Sequence, residues 1–172
     1  LAARRYGALI ALSARGAEAA SDAIDRLFAG GPDAGPDPVS WFAAARSAVL
    51  VAMAADGVPG GTGRGPLAPG TPLARRQVHD ALALLPPSFR SALALHHVCG
   101  LDLAGVAAVE RTEAELASVL VRGAEFVVRE VMTGGTEGVV VDRSGTVDLD
   151  WLATNLPAGP QRGAPPAGGP GL

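Results

Sequence analysis

Residues 81–131 read ALALLPPSFRSALALHHVCGLDLAGVAAVERTEAELASVLVRGAEFVVREV, and the breaks within this stretch decide the fold. Pro86 and Pro87 end one helix and begin the next, because proline lacks the amide hydrogen that a helix interior needs but suits a first turn. Gly100 suits the end of that second helix, since glycine adopts the left-handed conformation after a helix without strain. The stretch therefore predicts separate helices rather than one long rod.

Two further helices follow in the pattern. Asp102 can cap a short helix over residues 103–108. Thr112 and Glu115 have the T-x-x-E spacing of a capping box, which opens a long helix with apolar residues at intervals of three and four. A short helix, a turn of a few residues and a long capped helix are the order of a helix-turn-helix.

Glycine and proline divide the whole chain into four zones. Residues 1–56 have helical spacing, residues 57–71 (GVPGGTGRGPLAPGT) have the composition of a linker, and residues 72–132 are helical again. Residues 133–172 form a Gly/Pro-rich tail, in which residues 138–150 resemble a β-hairpin. We expect an all-α protein of two small helical domains, joined by a flexible linker and followed by an irregular or hairpin tail.

The first zone predicts a minimal bundle of three helices. Their apolar spacing places them over about residues 6–13, 17–28 and 39–55. The third carries Trp41 and Phe42 at a spacing that suits a core. The second helix has an apolar face of four residues, namely Ala20, Ile24, Leu27 and Phe28.

The overall charge limits the partners of the chain. Asp and Glu number 17 against 14 basic residues, all of them arginine, so the net charge is −3. A net acidic chain is a poor general binder of nucleic acid, because that affinity depends on neutralising phosphates. The one cysteine, Cys99, allows no disulfide within the chain and fits a cytoplasmic protein. No apolar run of membrane-spanning length is expected, and hence no membrane partner.

Three sets of residues are candidates for catalytic or metal sites. His96 and His97 are adjacent, so their rings point to different sides of a helix, and a metal site would need further ligands at helical spacing. Cys99 lies three residues from His96, but the chain offers nothing to complete an oxyanion site. Asp148 and Asp150 alternate on a predicted strand, which favours a solvated face over paired-acid catalysis. We expect no metal, no cofactor and no enzyme activity.

Two segments carry a resemblance to a known family. Residues 85–100, LPPSFRSALALHHVCG, follow the pattern of Leu-Pro and a helix of the form xxRxxLxLxxxxG, and residues 112–123, TEAELASVLVRG, align without a gap on a recognition helix. Together they resemble region 4 of the extracytoplasmic-function sigma factors of bacterial RNA polymerase. Three further segments resemble region 2 more faintly and in the right order, at residues 4–12, 22–28 and 40–49.

The resemblance implies a function in transcription initiation. Region 2 of that family binds the clamp of core RNA polymerase and melts the promoter, while region 4 places its recognition helix in the major groove. A regulatory protein such as an anti-sigma factor is a further implied partner. On the polymerase side the resemblance implicates Asp22, Asp25 and Arg26. Six residues are implied to lie nearest promoter DNA, namely Arg111, Thr112, Glu113, Ala114, Ser118 and Arg122.

Much of the family's DNA-contacting charge is missing. Ala117 and Val119 stand where the family has Lys and Arg, and Arg122 remains as the matching base. Residues 101–131 carry six acids against three arginines, and the third helix has no base after Arg46. Two alternatives therefore stay open. One is a degenerate sigma paralogue that lost promoter binding and regulates transcription through protein contacts, and the other is an unrelated helical domain.

Overall fold

The computed structural model describes residues 1–29, 37–55 and 73–133, which form seven α-helices and no strand. The predicted all-α class is confirmed for these residues. The helices are α1 (Ala2–Ala11), α2 (Ala14–Phe28), α3 (Pro38–Ala55), α4 (Leu73–Leu84), α5 (Pro87–His97), α6 (Leu103–Glu110) and α7 (Ala114–Thr133).

The boundaries of α4 and α5 lie where the sequence predicts, whereas α6 continues to Glu110 rather than residue 108 and α7 begins at Ala114 rather than directly after Thr112. α4 ends at Leu84 and α5 begins at Pro87, directly after Pro86, whose extended backbone turns the chain. Gly100 has a φ of 71° between α5 and α6, a left-handed conformation that glycine adopts without strain. The α5–α6 connection is therefore fixed locally, by residue types that can be recognised in the sequence.

The helices α1 and α2 approach each other so closely that their backbones touch. A side chain on Gly7 would overlap the carbonyl oxygen of Gly16 and would come within 2.6 Å of the Ala20 Cβ atom. The face of α2 toward α1 is therefore built from small residues. The predicted apolar face was wrong in the last turn of α2, because Leu27 and Phe28 are exposed.

The helix α3 packs against α1, α2 and α6. Phe42, Ala45 and Val49 recur on its buried side, and the Phe42 ring meets the Tyr6 ring edge-on at 5.5 Å between centroids. By length and composition alone α3 could cross a membrane, which corrects the expectation that no apolar run is long enough.

The helix α5 occupies the centre of the fold. It contacts α1, α6 and α7, and its residues 90–95 are all buried. Arg90 is among them, with 1% of its surface exposed, and its Nη1 donates to the Leu82 carbonyl at 3.4 Å. Burial lowers the pKa of the Arg90 guanidinium to about 10, which leaves it charged at neutral pH. The arginine of the xxRxxL pattern is thus a core residue rather than a surface base.

The two helical zones share one hydrophobic core in the described helices. α1 packs against α5 and α3 against α6, and buried side chains from both zones form a single cluster. The predicted linker 57–71 and the predicted hairpin 138–150 lie outside the described residues. The division into domains 1–56 and 72–132 stays a prediction.

The short helix α6 begins at a side-chain cap. The Asp102 Oδ1 atom accepts a hydrogen bond of 2.8 Å from the Gly105 amide, as the sequence predicts. We expect Asp102→Ala to lower the free energy of unfolding by about 1 kcal/mol, because one amide of the first turn loses its acceptor. Urea denaturation followed by circular dichroism measures this change. Asp102→Asn should lose much less, since asparagine also caps helices, and equal losses in both variants would contradict the capping argument.

Candidate functional site

The surface implied to meet DNA is formed by the end of α6, the turn and the first half of α7. Arg111 ends α6 in a left-handed conformation, with φ 57° and ψ 48°, so residues 103–133 form two helices rather than one rod. Arg111, Glu113 and Ala114 are exposed at this turn. Further along α7, Arg122 is exposed. Thr112 and Ser118 are half-buried.

The two positions where the family has a base behave differently. Ala117 is fully buried in the core, so a lysine there would place its charge among apolar side chains. Val119 is exposed, and a base at this position would be accessible. Of the two positions, only that of Val119 could present a charged side chain on the surface of this fold.

An apolar stripe runs along the exposed side of α7. Leu116, Val119 and Phe126 are 50%, 58% and 57% exposed, and they lie three and seven residues apart. This spacing places them along one side of the helix. We call these three residues the α7 stripe. The helical spacing of α7 in the sequence did not separate these three residues from Leu120 and Val127 beside them, which are at least partly buried.

The residues implied to meet the polymerase lie on the exposed side of α2. Asp22, Asp25 and Arg26 are all exposed, and the Arg26 Nε donates to the Asp22 carbonyl at 3.0 Å. Phe28 is exposed beside them, with its ring 5.4 Å from that of Trp41. This end of α2 therefore combines acidic groups with partly exposed aromatic surface.

A buried polar network connects the two helical zones. Tyr6 in α1 donates its hydroxyl hydrogen to the Ser91 Oγ in α5 over 2.7 Å, and Ser91 in turn donates to the Glu110 carboxylate in α6. The Arg46 guanidinium in α3 holds both oxygens of that carboxylate, with its Nε at 3.0 and 3.1 Å and its Nη2 at 2.9 Å. The Glu110 side chain is 2% exposed, so the pair is a buried salt bridge with its oxygens satisfied.

Sequence reasoning missed this network. It counted Glu110 among the acids of the DNA-binding unit and Arg46 as the last base of α3. The partners lie 64 and 85 positions apart, and no local pattern connects them. Since Arg46 neutralises Glu110 inside the fold, the remaining surface of residues 101–131 carries five acids against three arginines.

Comparison with family models, with curated proteins and with solved structures found no match.

The adjacent histidines His96 and His97 have separate structural partners. The His96 Nδ1 lies 2.8 Å from the Leu101 carbonyl, which places it as the donor across the α5–α6 connection. The His97 Nε2 lies 2.7 Å from the Glu125 Oε1 in α7. Among the residues that the structure describes, no three His, Cys, Asp or Glu side chains come together as metal ligands. The His97 ring joins α5 to α7, and the His96 ring joins α5 to the connection that follows it.

The Tyr6 hydroxyl provides a test of the network in solution. Burial raises the pKa of this phenol well above its ordinary value of about 10, so folding is favoured while Tyr6 is protonated. That contribution is lost as the pH rises above about 10, because the unfolded chain ionises there and the folded chain does not. Since Tyr6 is the one tyrosine, we expect its phenolate absorbance to appear together with the loss of helical circular dichroism.

An alkaline titration of the wild-type chain and of Tyr6→Phe measures this effect. The phenylalanine variant should give no phenolate signal. Its free energy of unfolding should also fall less than that of the wild type as the pH rises above about 10. Phenolate absorbance that rises near pH 10 in a fully helical chain would contradict the burial of Tyr6.

Proposed function

We propose that the chain is a sigma-factor-like protein of transcription initiation, which binds core RNA polymerase and presents the α6–α7 unit to promoter DNA. One observation carries the proposal: α6 and α7 are separate helices, and the turn between them exposes Arg111, Glu113 and Ala114. In helix-turn-helix proteins the N-terminal part of the second helix reads base edges, and surrounding basic groups contact phosphates.

The acidic end of α2 is proposed as the polymerase-binding surface. Asp22, Asp25 and Arg26 are exposed there, and the half-exposed Phe28 adds an apolar group of the kind that protein interfaces use. In this proposal residues 1–56 act as a region 2-like unit and residues 72–132 as a region 4-like unit, in the cytoplasm.

A second function is favoured by the buried salt bridge. Arg46 is the last base of α3, and its guanidinium is occupied by Glu110 inside the fold. After Arg46, α3 offers only small and apolar residues, with no base and no aromatic ring, where promoter melting would use both. A degenerate paralogue, which contacts polymerase or an anti-sigma-like regulator without melting DNA, fits this arrangement.

Two binding measurements separate these functions. The first asks whether the tagged chain co-purifies with core RNA polymerase, and the triple variant Asp22→Ala, Asp25→Ala, Arg26→Ala is expected to lose that association. The second selects from a duplex library with a randomised upstream element, with and without polymerase. Polymerase binding with sequence selection supports the sigma-like function, while polymerase binding without selection supports the paralogue. Failure to bind polymerase contradicts the sigma-like function and leaves the paralogue only its contact with a regulatory protein.

Arg122 is an exposed base on α7 that the proposed groove contact would use. We expect Arg122→Ala to weaken DNA binding at all sequences and to reduce the salt slope of log K by about 1, since one phosphate contact releases about one counterion. Fluorescence anisotropy across a salt series measures both quantities. Arg4→Ala, which removes an exposed arginine from α1, is the matched control and should leave the slope unchanged. Equal slopes for the two variants would remove Arg122 from the proposed interface.

A further inference from the structure

The α7 stripe leaves three large apolar side chains in water on the longest helix of the described chain. Leu116, Val119 and Phe126 are each at least half exposed and lie along one side of α7. Single exposed apolar residues are ordinary, but a row of them along one helix is typical of a docking surface. The exposed Arg122 lies between Val119 and Phe126 in sequence, and the exposed Glu115 and Glu130 lie near the two ends of the stripe.

The chain itself carries a segment with matching chemistry. Residues 147–152 read VDLDWL, so that Val147, Leu149 and Trp151 alternate with Asp148 and Asp150. In extended backbone this alternation gives one apolar side and one acidic side. The apolar side needs a surface to cover it, and one of the two carboxylates can pair with Arg122 at the edge of that surface.

The segment 147–152 matches the α7 stripe in length, and the residues before it are long enough to reach the stripe. Alternate residues of extended backbone lie roughly 6.7 Å apart, so Val147 and Trp151 are separated by about 13 Å. At 1.5 Å per helical residue, Val119 and Phe126 are about 10 Å apart and Leu116 and Phe126 about 15 Å. The intervening residues 134–146 can span about 43 Å, about twice the ~21 Å from the end of α7 back to Val119.

We propose that residues 147–152 dock in cis on the α7 stripe, with Val147, Leu149 and Trp151 against Leu116, Val119 and Phe126. Because the segment is tethered to the end of α7, its effective concentration is of millimolar order, and a weak contact suffices to hold it there. The proposal stands independently of the proposed function. If both hold, the docked segment covers Arg122 and competes with DNA for α7.

Trp151 serves as the probe. The chain has two tryptophans, and Trp41→Phe in the full chain leaves Trp151 as the one emitter. We expect its emission to be blue-shifted and its acrylamide quenching to be reduced relative to a synthetic peptide of residues 134–172. This comparison needs no change in α7. Emission and quenching equal to those of the free peptide would overturn the proposal.

A substitution series in the Trp41→Phe chain locates the contact. Val119→Asp and Phe126→Asp should each shift the Trp151 emission toward that of the free peptide, whereas Val51→Asp should not. Val51 is the matched control, since it is 70% exposed on α3. Circular dichroism confirms that each variant is folded. An emission shift that is the same in all three variants would also overturn the proposal.

A second copy of the chain could also supply the segment that covers the α7 stripe, and dilution distinguishes this case from docking in cis. Docking in cis gives an emission maximum that does not change on dilution and a monomer in sedimentation velocity. A blue shift that disappears on dilution, together with a dimer at high concentration, would replace docking in cis by exchange between two chains and overturn the proposal as stated. DNA binding is not part of any of these readouts, so a failure of the proposed function leaves them unaffected.

Discussion

Gly7→Ala is expected to destabilise the protein by about 2–3 kcal/mol, the upper part of the range of about 1–3 kcal/mol for an extra methyl group in a closely packed core. The new Cβ atom would overlap the Gly16 carbonyl oxygen and lie 2.6 Å from the Ala20 Cβ atom. Both obstacles belong to α2 and cannot rotate away, so α1 and α2 must separate. This cost outweighs the gain of roughly 1 kcal/mol that alanine brings to a helix interior over glycine.

Gly123→Ala is the matched control for this prediction. A Cβ atom on Gly123 would lie 2.9 Å from the Cε1 atom of Phe89, which is a half-buried side chain that can turn aside. The helix propensity gain of roughly 1 kcal/mol then offsets most of the crowding. Guanidinium denaturation of both variants gives the comparison. A Gly7→Ala variant as stable as Gly123→Ala would show that α1 and α2 do not touch through their backbones.

The second large effect is expected at the buried salt bridge. Arg46→Met should cost about 3–5 kcal/mol, because it leaves the Glu110 carboxylate buried without its counter-charge. Glu110→Met should cost less, since the Arg46 side chain is 24% exposed and can turn toward solvent. The double variant, in which two methionines replace the pair, should be markedly more stable than Arg46→Met, because no charge remains buried.

A double-mutant cycle in chemical denaturation measures this coupling. Glu125→Gln provides the comparison with a partly exposed pair, since His97 and Glu125 are 15% and 33% exposed, and it should cost no more than about 1 kcal/mol. If the Arg46→Met and Glu110→Met effects simply add, then the two side chains do not share a buried contact and the link between the helical zones is lost.

The parts of the fold that were predictable depend on local chemistry. Pro87, Gly100 and Asp102 determine helix ends through their own backbone or side chain, and the structure has the expected conformation at each of them. The surface turn at Arg111 was likewise expected from the break between two helical patterns. Each of these features needs only a few neighbouring residues.

The parts that were not predictable depend on contacts between distant residues. The inner face of α2 is set by the approach of Gly7 to Gly16, which makes small residues rather than Leu27 and Phe28 the buried ones. Ala117 was interpreted as a lost surface base, although its position faces the core. No period in the sequence identifies which charges are buried, because that depends on which helices meet.

The partners in the buried network leave the ribosome at different times, because they lie far apart in the chain. Tyr6 and Ser91 are 85 positions apart, and Arg46 and Glu110 are 64 apart. At about 5–20 residues per second, a ribosome completes α3 several seconds before it adds Glu110. During that interval the nascent N-terminal helices carry an unneutralised guanidinium and an uncovered apolar side. A chain that stalls there would offer this side to chaperones or to neighbouring nascent chains.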